Sequence, residues 1–340
     1  MARESLISKL KGKLIVGIVI GALVYLVLVI YSGWSDLTGA LARFPWALFP
    51  VLLLLSFANY LFRFRKWDYY LRKLQIEVPK TDSLIVFLSG LIMTISPGKI
   101  GELLKTVILK QIKGTPISKS APIVLAERLT DFIALVIIST AGLARFAVGD
   151  YILIVVVVVV LLVGFVVVIS HRGLSMFLLG LLEGMPVIGK FAHKFHEAYD
   201  SMYVLVGSRP LAVATFWSLL AWMCECTGFF IVLRAFGAPA PLLTASFIYA
   251  IGTIVGAVSP GGLGFTEGSM VGLLQTTAVM GAATLDSATA SAATMIIRIA
   301  TLWFAVFVGA IVLLGFQKRF AGAGELLEEE LEERKTHSGE

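Results

Sequence analysis

Charge is scarce in this chain. Of its 340 residues, only 15% are Asp, Glu, Lys or Arg, 58% are hydrophobic, and mean hydropathy is +0.91. A soluble domain keeps about a quarter of its positions charged, so the composition excludes a soluble globular protein and points to an integral membrane one. Cysteine is nearly absent. Cys224 and Cys226, in "WMCECTG", are two apart and turn to different sides of a helix. That excludes a C-x-x-C redox pair or a zinc set and leaves two small buried apolar residues. Four histidines are present, and His193 and His196 read as surface residues rather than a metal pair. No D-x-D pattern occurs, and the H-x-x-E spacing arises only in the acidic tail, at His337 and Glu340, so the usual means by which a membrane transferase holds a metal are missing from the apolar chain. The net charge of +6 comes with no RNA- or DNA-binding motif, and its basic residues cluster beside helix ends. No nucleic-acid partner, metal or cofactor is expected.

What is present is a series of apolar runs at 14–31, 46–62, 121–148, 151–170, 211–233 and 287–316. Residues 1–13 carry Arg3, Lys9, Lys11 and Lys13. Because the following run is long enough to cross a bilayer, it reads as a retained first helix rather than a cleaved signal peptide. Two further stretches, 83–112 and 242–280, are apolar but broken. The first break reads "SPGKIGELLK" from Ser96, and the second "SPGGLGFTEG" from Ser259. Proline lacks the N–H and glycine loses entropy in a helix, so neither stretch continues through its centre. Irregular backbone is tolerated in a bilayer only where protein or a water-filled cavity receives its polar groups. Each stretch is therefore predicted to be a re-entrant helical hairpin.

The basic segments support a return rather than a crossing. The N-terminus, 63–73, 110–119 and 317–320 are all rich in Lys or Arg, and in-and-out hairpins put all of them on the cytoplasmic side, with both chain termini. The expected fold is an all-α polytopic membrane protein with about six full spans plus two hairpins. Its single membrane domain, 14–316, contains two inverted repeats, about 46–148 and 211–316, each a helix–hairpin–helix unit. Chance recurrence of a short S-P-G phrase is the alternative. Between the repeats, 171–210 is a cytoplasmic linker in which Phe191, Phe195, Ala198, Met202 and Leu205 lie opposite Lys194, Glu197 and Asp200, as in a membrane-surface helix. Residues 317–340 form an acidic cytoplasmic tail.

Charges within the apolar stretches mark the candidate site. Lys99, Glu102 and Lys105 follow the first break on one helix face, and Glu267 follows the second. Glu127, Arg128 and Asp131 sit in "VLAERLTDFIALV", Arg298 in "ATMIIRIATLW" and Glu225 ahead of the second break. Facing lipid at mid-depth, a charge costs roughly 2.5–3.5 kcal/mol, so these residues must face protein or water. Arg128 and Arg298 both approach the membrane midplane. Arginine binds phosphate through two parallel N–H bonds, and glycine lets backbone N–H groups come close to an anion. With Ser96, Gly98, Gly101, Ser259, Gly261, Gly262 and Gly264 at the breaks, these side chains make a candidate phosphate-binding and translocation site. The other reading is an internal salt-bridge network, Arg128 with Glu102 or Asp131 and Arg298 with Glu267 or Glu225, that staples the hairpins.

The ordered set "SPGKIGELLK", "ERLTD", "SPGGLGFTEG" and Arg298 resembles the transmembrane region of lysylphosphatidylglycerol synthase, a flippase-like domain, over nearly the whole apolar chain. The resemblance implies movement of a lipid between leaflets, with Gly98, Gly101, Glu102, Glu127, Arg128, Asp131, Gly261, Gly264, Glu267 and Arg298 as matching positions. Bifunctional members carry a soluble aminoacyl-transferase domain, whereas this chain ends in an acidic tail, so lysyl transfer is not expected. The expected activity is that of a transporter in the cell membrane rather than an enzyme, with an anionic or phosphate-bearing lipid as partner and a homo-oligomer left open. A membrane-embedded transferase in polyprenyl-phosphate or glycolipid metabolism and a secondary carrier of small anions are the alternatives.

Overall fold

The computed structural model describes residues 6–95, 103–143, 149–183 and 192–316, and no strand occurs among the described residues. Its helices are α1 (Leu6–Ser32), α2 (Trp34–Arg43), α3 (Phe49–Lys73), α4 (Lys80–Gly90), α5 (Leu104–Lys113), α6 (Ile117–Leu143) and α7 (Gly149–Ser170). There follow α8 (Arg172–Glu183), α9 (Ala192–Val206), α10 (Ser208–Ala235), α11 (Leu242–Gly256), α12 (Phe265–Gln275), α13 (Thr277–Met280) and α14. The last runs over Ser287–Arg298, loosens into a π turn at Ile299–Trp303 and continues helical to Phe316.

The protein is an all-α multi-pass membrane protein. Four described segments, Leu14–Ser32, Trp46–Lys73, Ser208–Ala235 and Ser287–Phe316, are long and apolar enough to cross a bilayer. The 27 residues of α6 reach about 40 Å at roughly 1.5 Å per residue, also enough to cross, although Glu127, Arg128 and Asp131 interrupt its apolar sequence. Side chains on α1 and α7 that would be a liability in water, such as Ile30 and Leu161, stay largely exposed and suit a lipid environment.

One expectation needs correction. The helix of the apolar run 46–62 does not end there: α3 continues through the basic segment 63–73 to Lys73, with Lys66, Trp67 and Tyr70 buried. Tyr60, Arg63, Trp67, Tyr70 and Leu74 recur at helical spacing, and the face they form packs on α4 and α6. Only Arg65, Arg72 and Lys73 of its basic residues remain exposed. The linker differs too. On α9, Tyr199, Met202, Leu205 and Val206 are buried while Phe195 is exposed, and the helix packs on α6 and α7, so protein occupies the apolar face.

Both broken stretches consist of short helices. With 15 and 11 residues, α11 and α12 extend about 22 and 16 Å, less than a hydrocarbon core of about 30 Å. Gly252 lies against Met270 and Gly256 against Thr266, so the two helices run antiparallel, joined by residues 257–264. In the first stretch, α4 leads into a tight 3-10 segment, Leu91–Ile95, and α5 packs back on α4, with Gly90 against Lys105. Residues 96–102 lie outside the described residues.

The packing is crossed. The second stretch seats α11 on α6, where Gly142 meets Phe247. The first stretch seats its 3-10 segment on the end of α14, where a Cβ at Gly309 would stand 2.1 Å from the Ile92 nitrogen. Each broken stretch thus rests on the final helix of the other half. Between them, α3 and α10 lie side by side, tied by the Asn59 amide donating to the Ala221 carbonyl at 2.8 Å.

Candidate functional site

The second break touches the end of the 3-10 segment of the first stretch. Gly261 sits at φ +61°, and a Cβ there would lie 2.9 Å from the Ile95 Cα. Gly262 and Gly264 also have positive φ, 76° and 85°, as the turn into α12 requires. Gly261→Ala is therefore expected to destabilise by roughly 1–3 kcal/mol, from the left-handed backbone and the clash together. A thermal melt of purified protein in detergent checks this; an unchanged midpoint would mean the second break does not pack as described.

Beside this contact lies a cavity of about 250 Å³ enclosed by α3, α6, α10, α11, α14 and the second break. Arg63, Arg128 and Arg298 all line it, with Asp131, Glu225 and Trp222. Arg128 follows the first residue of α6 by eleven positions, 117 to 128, and Arg298 that of α14 by eleven, 287 to 298. Each guanidinium is thus about 16 Å along its helix, close to half the thickness of a hydrocarbon core.

Asp131 is the hub of one side. Its Oδ2 takes Arg63 Nη2 at 2.5 Å and Arg128 Nη1 at 3.4 Å. Its Oδ1 takes Lys66 Nζ at 2.7 Å and the Ser218 hydroxyl at 3.0 Å. Lys66 is 1% exposed and also donates to Ser218 Oγ and the Glu127 carbonyl, so its charge is enclosed by acceptors. Three cations thus gather around this one carboxylate, and two of them, Arg63 and Arg128, line the cavity. The Arg63 guanidinium stands 5.7 Å over the Trp222 ring.

Arg298 anchors the other side. Its Nε meets Glu267 Oε1 at 2.5 Å, and its Nη2 donates to the Gly261 carbonyl at 2.7 Å. The other Glu267 oxygen accepts the Gly264 N–H at 2.7 Å and so closes the N-terminus of α12. A chain of hydroxyls completes the wall. Tyr249 donates to Glu225 Oε2 at 2.7 Å, and Tyr60 donates at 3.1 Å to the Thr301 carbonyl in the π turn that follows Arg298. π turns inside helices are frequent at functional positions.

Among the sequence-predicted residues, the structure brings Arg128, Asp131, Glu225, Ser259, Gly261, Gly262 and Arg298 together on this cavity. Lys105, Glu127, Gly264 and Glu267 do not line it. Lys105 Nζ pairs with Glu127 Oε2 at 2.5 Å beneath the Trp67 ring, an enclosure that satisfies both charges without solvent. Gly264 and Glu267 border an apolar groove against α1 instead. Ser96, Gly98, Lys99, Gly101 and Glu102 lie outside the described residues. The expected Arg128–Asp131 and Arg298–Glu267 pairs are present, whereas Glu225 bonds Tyr249.

The staple pairs occupy equivalent places with reversed charge. Lys105 on α5 holds Glu127 on α6, and Glu267 on α12 holds Arg298 on α14, so each joins the helix after a break to the last helix of its half. Sequence reasoning missed Arg63 and Lys66. Their signal was available in the spacing of Tyr60, Arg63, Trp67 and Tyr70, hidden by the basic composition of the segment. Tyr249 and Trp222 gave no signal, because single aromatics in apolar runs are ordinarily core.

Comparison with known proteins agrees with this architecture. The family described as "Lysylphosphatidylglycerol synthase TM region" matches residues 14–309. A UPF0104 membrane protein of Methanothermobacter thermautotrophicus is 24% identical over 320 residues, covering 88% of this chain and 91% of that protein. The match runs from within α1 to within α14 and includes every cavity-lining residue, so this chain is a member of the lysylphosphatidylglycerol synthase transmembrane-region family.

Proposed function

We propose that this protein moves a phosphate-bearing lipid between the leaflets of the cell membrane. The observation that carries the reading is the convergence of Arg63, Arg128 and Arg298 on one cavity beside the second break and the 3-10 segment of the first stretch. The headgroup phosphate enters that cavity and takes the guanidinium donors, while the acyl chains stay in lipid. In this reading the two broken stretches are re-entrant hairpins of inverted repeats, with both chain termini cytoplasmic. The antiparallel course of α11 and α12, the crossed packing of the halves and the reversed staple pairs support that arrangement. Transporters built this way place substrate where interrupted helices meet.

Reconstituted vesicles carrying fluorescent phosphatidylglycerol or phosphatidic acid, with dithionite to bleach the outer leaflet, test the proposal. Wild-type protein is expected to accelerate headgroup exchange of the anionic lipids above that of phosphatidylcholine. Arg128→Gln is expected to slow exchange roughly 10–100-fold, the loss of a charge-assisted contact, while stability changes by less than about 1 kcal/mol because Asp131 keeps Arg63 and Lys66. Exchange no faster than in protein-free vesicles for every anionic lipid would defeat the reading. A collapse of folded Arg128→Gln protein favours instead a purely stapling role, which the closed Lys105–Glu127 and Arg298–Glu267 pairs make the second reading.

A further inference from the structure

One hydroxyl on the cavity wall has its hydrogen to spare. Thr266, the second residue of α12, lines the cavity at 3% exposure, and its Oγ1 makes no hydrogen bond among the described residues. The other hydroxyls on the wall, those of Tyr60, Thr94, Tyr249, Thr253, Ser259 and Thr301, each donate to an acceptor of the protein. Ser89, Ser246 and Thr294 are buried with unpartnered hydroxyls too, but none of them lines the cavity. Enclosing a hydroxyl without a partner costs stability, and native structures seldom do so. At Thr266 the missing acceptor has a place to sit.

The neighbours of this hydroxyl favour an anion. A Cβ at Gly262 would stand 2.5 Å from Thr266 Oγ1 and 3.6 Å from Arg298 Nη2, so hydroxyl and guanidinium border the bare face of the same glycine. A Cβ at Gly256 would also fall on Thr266 Oγ1, and a side chain at either glycine would crowd the hydroxyl. Arg298 keeps donors in reserve. Its Nε goes to Glu267 and its Nη2 to the Gly261 carbonyl, while Nη1 has no partner among the described residues. Glu267, whose charge Arg298 takes up, borders the groove against α1 rather than the cavity. Thr266 and Arg298 thus offer O–H and N–H donors on the same side of the cavity, a set that matches a phosphate, which brings acceptors.

We infer that Thr266 is a headgroup-binding residue, its hydroxyl and the Arg298 guanidinium together holding the phosphate at the second break. The inference names the corner of the cavity that the phosphate occupies, and it rests on the translocation reading for the lipid that carries that phosphate.

Titration of the purified full chain in detergent with dioctanoyl phosphatidic acid tests the site. Thr266→Val keeps the shape of the side chain and removes the hydroxyl. It is expected to weaken binding roughly 10–100-fold, the loss of one hydrogen bond to a charged group. Its melting temperature without lipid is expected to match or exceed that of wild type, because the hydroxyl has no partner in the protein to lose. Thr266→Ser, which keeps the hydroxyl, is expected to keep most of the affinity. Thr266→Ala removes the hydroxyl without adding an atom, and is expected to show the same loss as the valine. Wild-type affinity in the valine and alanine variants overturns the inference, and so does a lower melting temperature with affinity unchanged, the mark of a structural hydroxyl. No binding of phosphatidic acid by wild type overturns it as well.

Two further arms separate this site from translocation. Glycerol 3-phosphate, the same phosphate without acyl chains, is expected to bind far more weakly. Equal binding of the two, both dependent on Thr266, keeps the phosphate site and counts against a lipid as its occupant. In the vesicle assay above, wild-type exchange rates in Thr266→Val overturn the site and leave translocation standing. Binding that depends on Thr266, without lipid movement by wild type, overturns translocation and leaves the site.

Discussion

Arg298→Ala is expected to destabilise the protein by about 3–5 kcal/mol, because it strands the Glu267 carboxylate, which is fully enclosed and loses its one cation within the described site. The Gly261 carbonyl loses its donor in the same step, so the second break loosens with it. The variant is expected to appear as low yield of monodisperse protein and an early thermal transition in detergent. Adding Glu267→Gln removes the stranded charge, and the double variant is expected to recover most of the stability. It is not expected to recover lipid exchange, since the guanidinium proposed to meet the headgroup is still absent. A double variant that moves lipid at the wild-type rate would reduce Arg298 to a staple.

Asp131→Asn carries the other large effect. It leaves Arg63, Lys66 and Arg128 around a neutral amide, three like charges gathered from α3 and α6 with their shared carboxylate gone. Breaking a buried pair costs about 3–5 kcal/mol, and mutual repulsion adds to it here. Lys66→Met in the same chain is expected to restore part of the loss, because Lys66 is the cation with least access to the cavity, 1% exposed, and a methionine fills the same space. Thermal melts of the single and double variants decide. If Asp131→Asn melts within a few degrees of wild type, Asp131 is not the hub that the distances imply.

These two carboxylates show what kind of information the sequence carried. Glu267 and Asp131 stood out because each was a charge in an apolar run, and lipid admits such a residue only if something pairs with it. The partner of Glu267 was also legible, since Arg298 was the one strong cation in the last span. The partners of Asp131 were legible only in part. Arg128 was adjacent in sequence, but Arg63 and Lys66 lay in a stretch whose composition suits a cytoplasmic loop equally well. Composition could not separate a basic loop from a basic helix face; the recurring Tyr60, Trp67 and Tyr70 favour the helix, and packing against α6 decided it.

Hydrophobicity and the scarcity of charge determined by themselves that this chain lives in a membrane, and proline with glycine determined where its helices break. Both follow from local chemistry: the free energy of placing each residue in lipid, and the dihedral angles each residue allows. Which charges face the cavity was decided by tertiary structure alone. Lys105 and Glu127 satisfy each other away from it, whereas Arg63, Arg128 and Glu225 line it, and nothing in their spacing distinguishes the two groups. The reason is that pairing of buried charges depends on the distance between helices far apart in the chain, set by contacts such as Gly261 on Ile95 and Gly309 on Ile92.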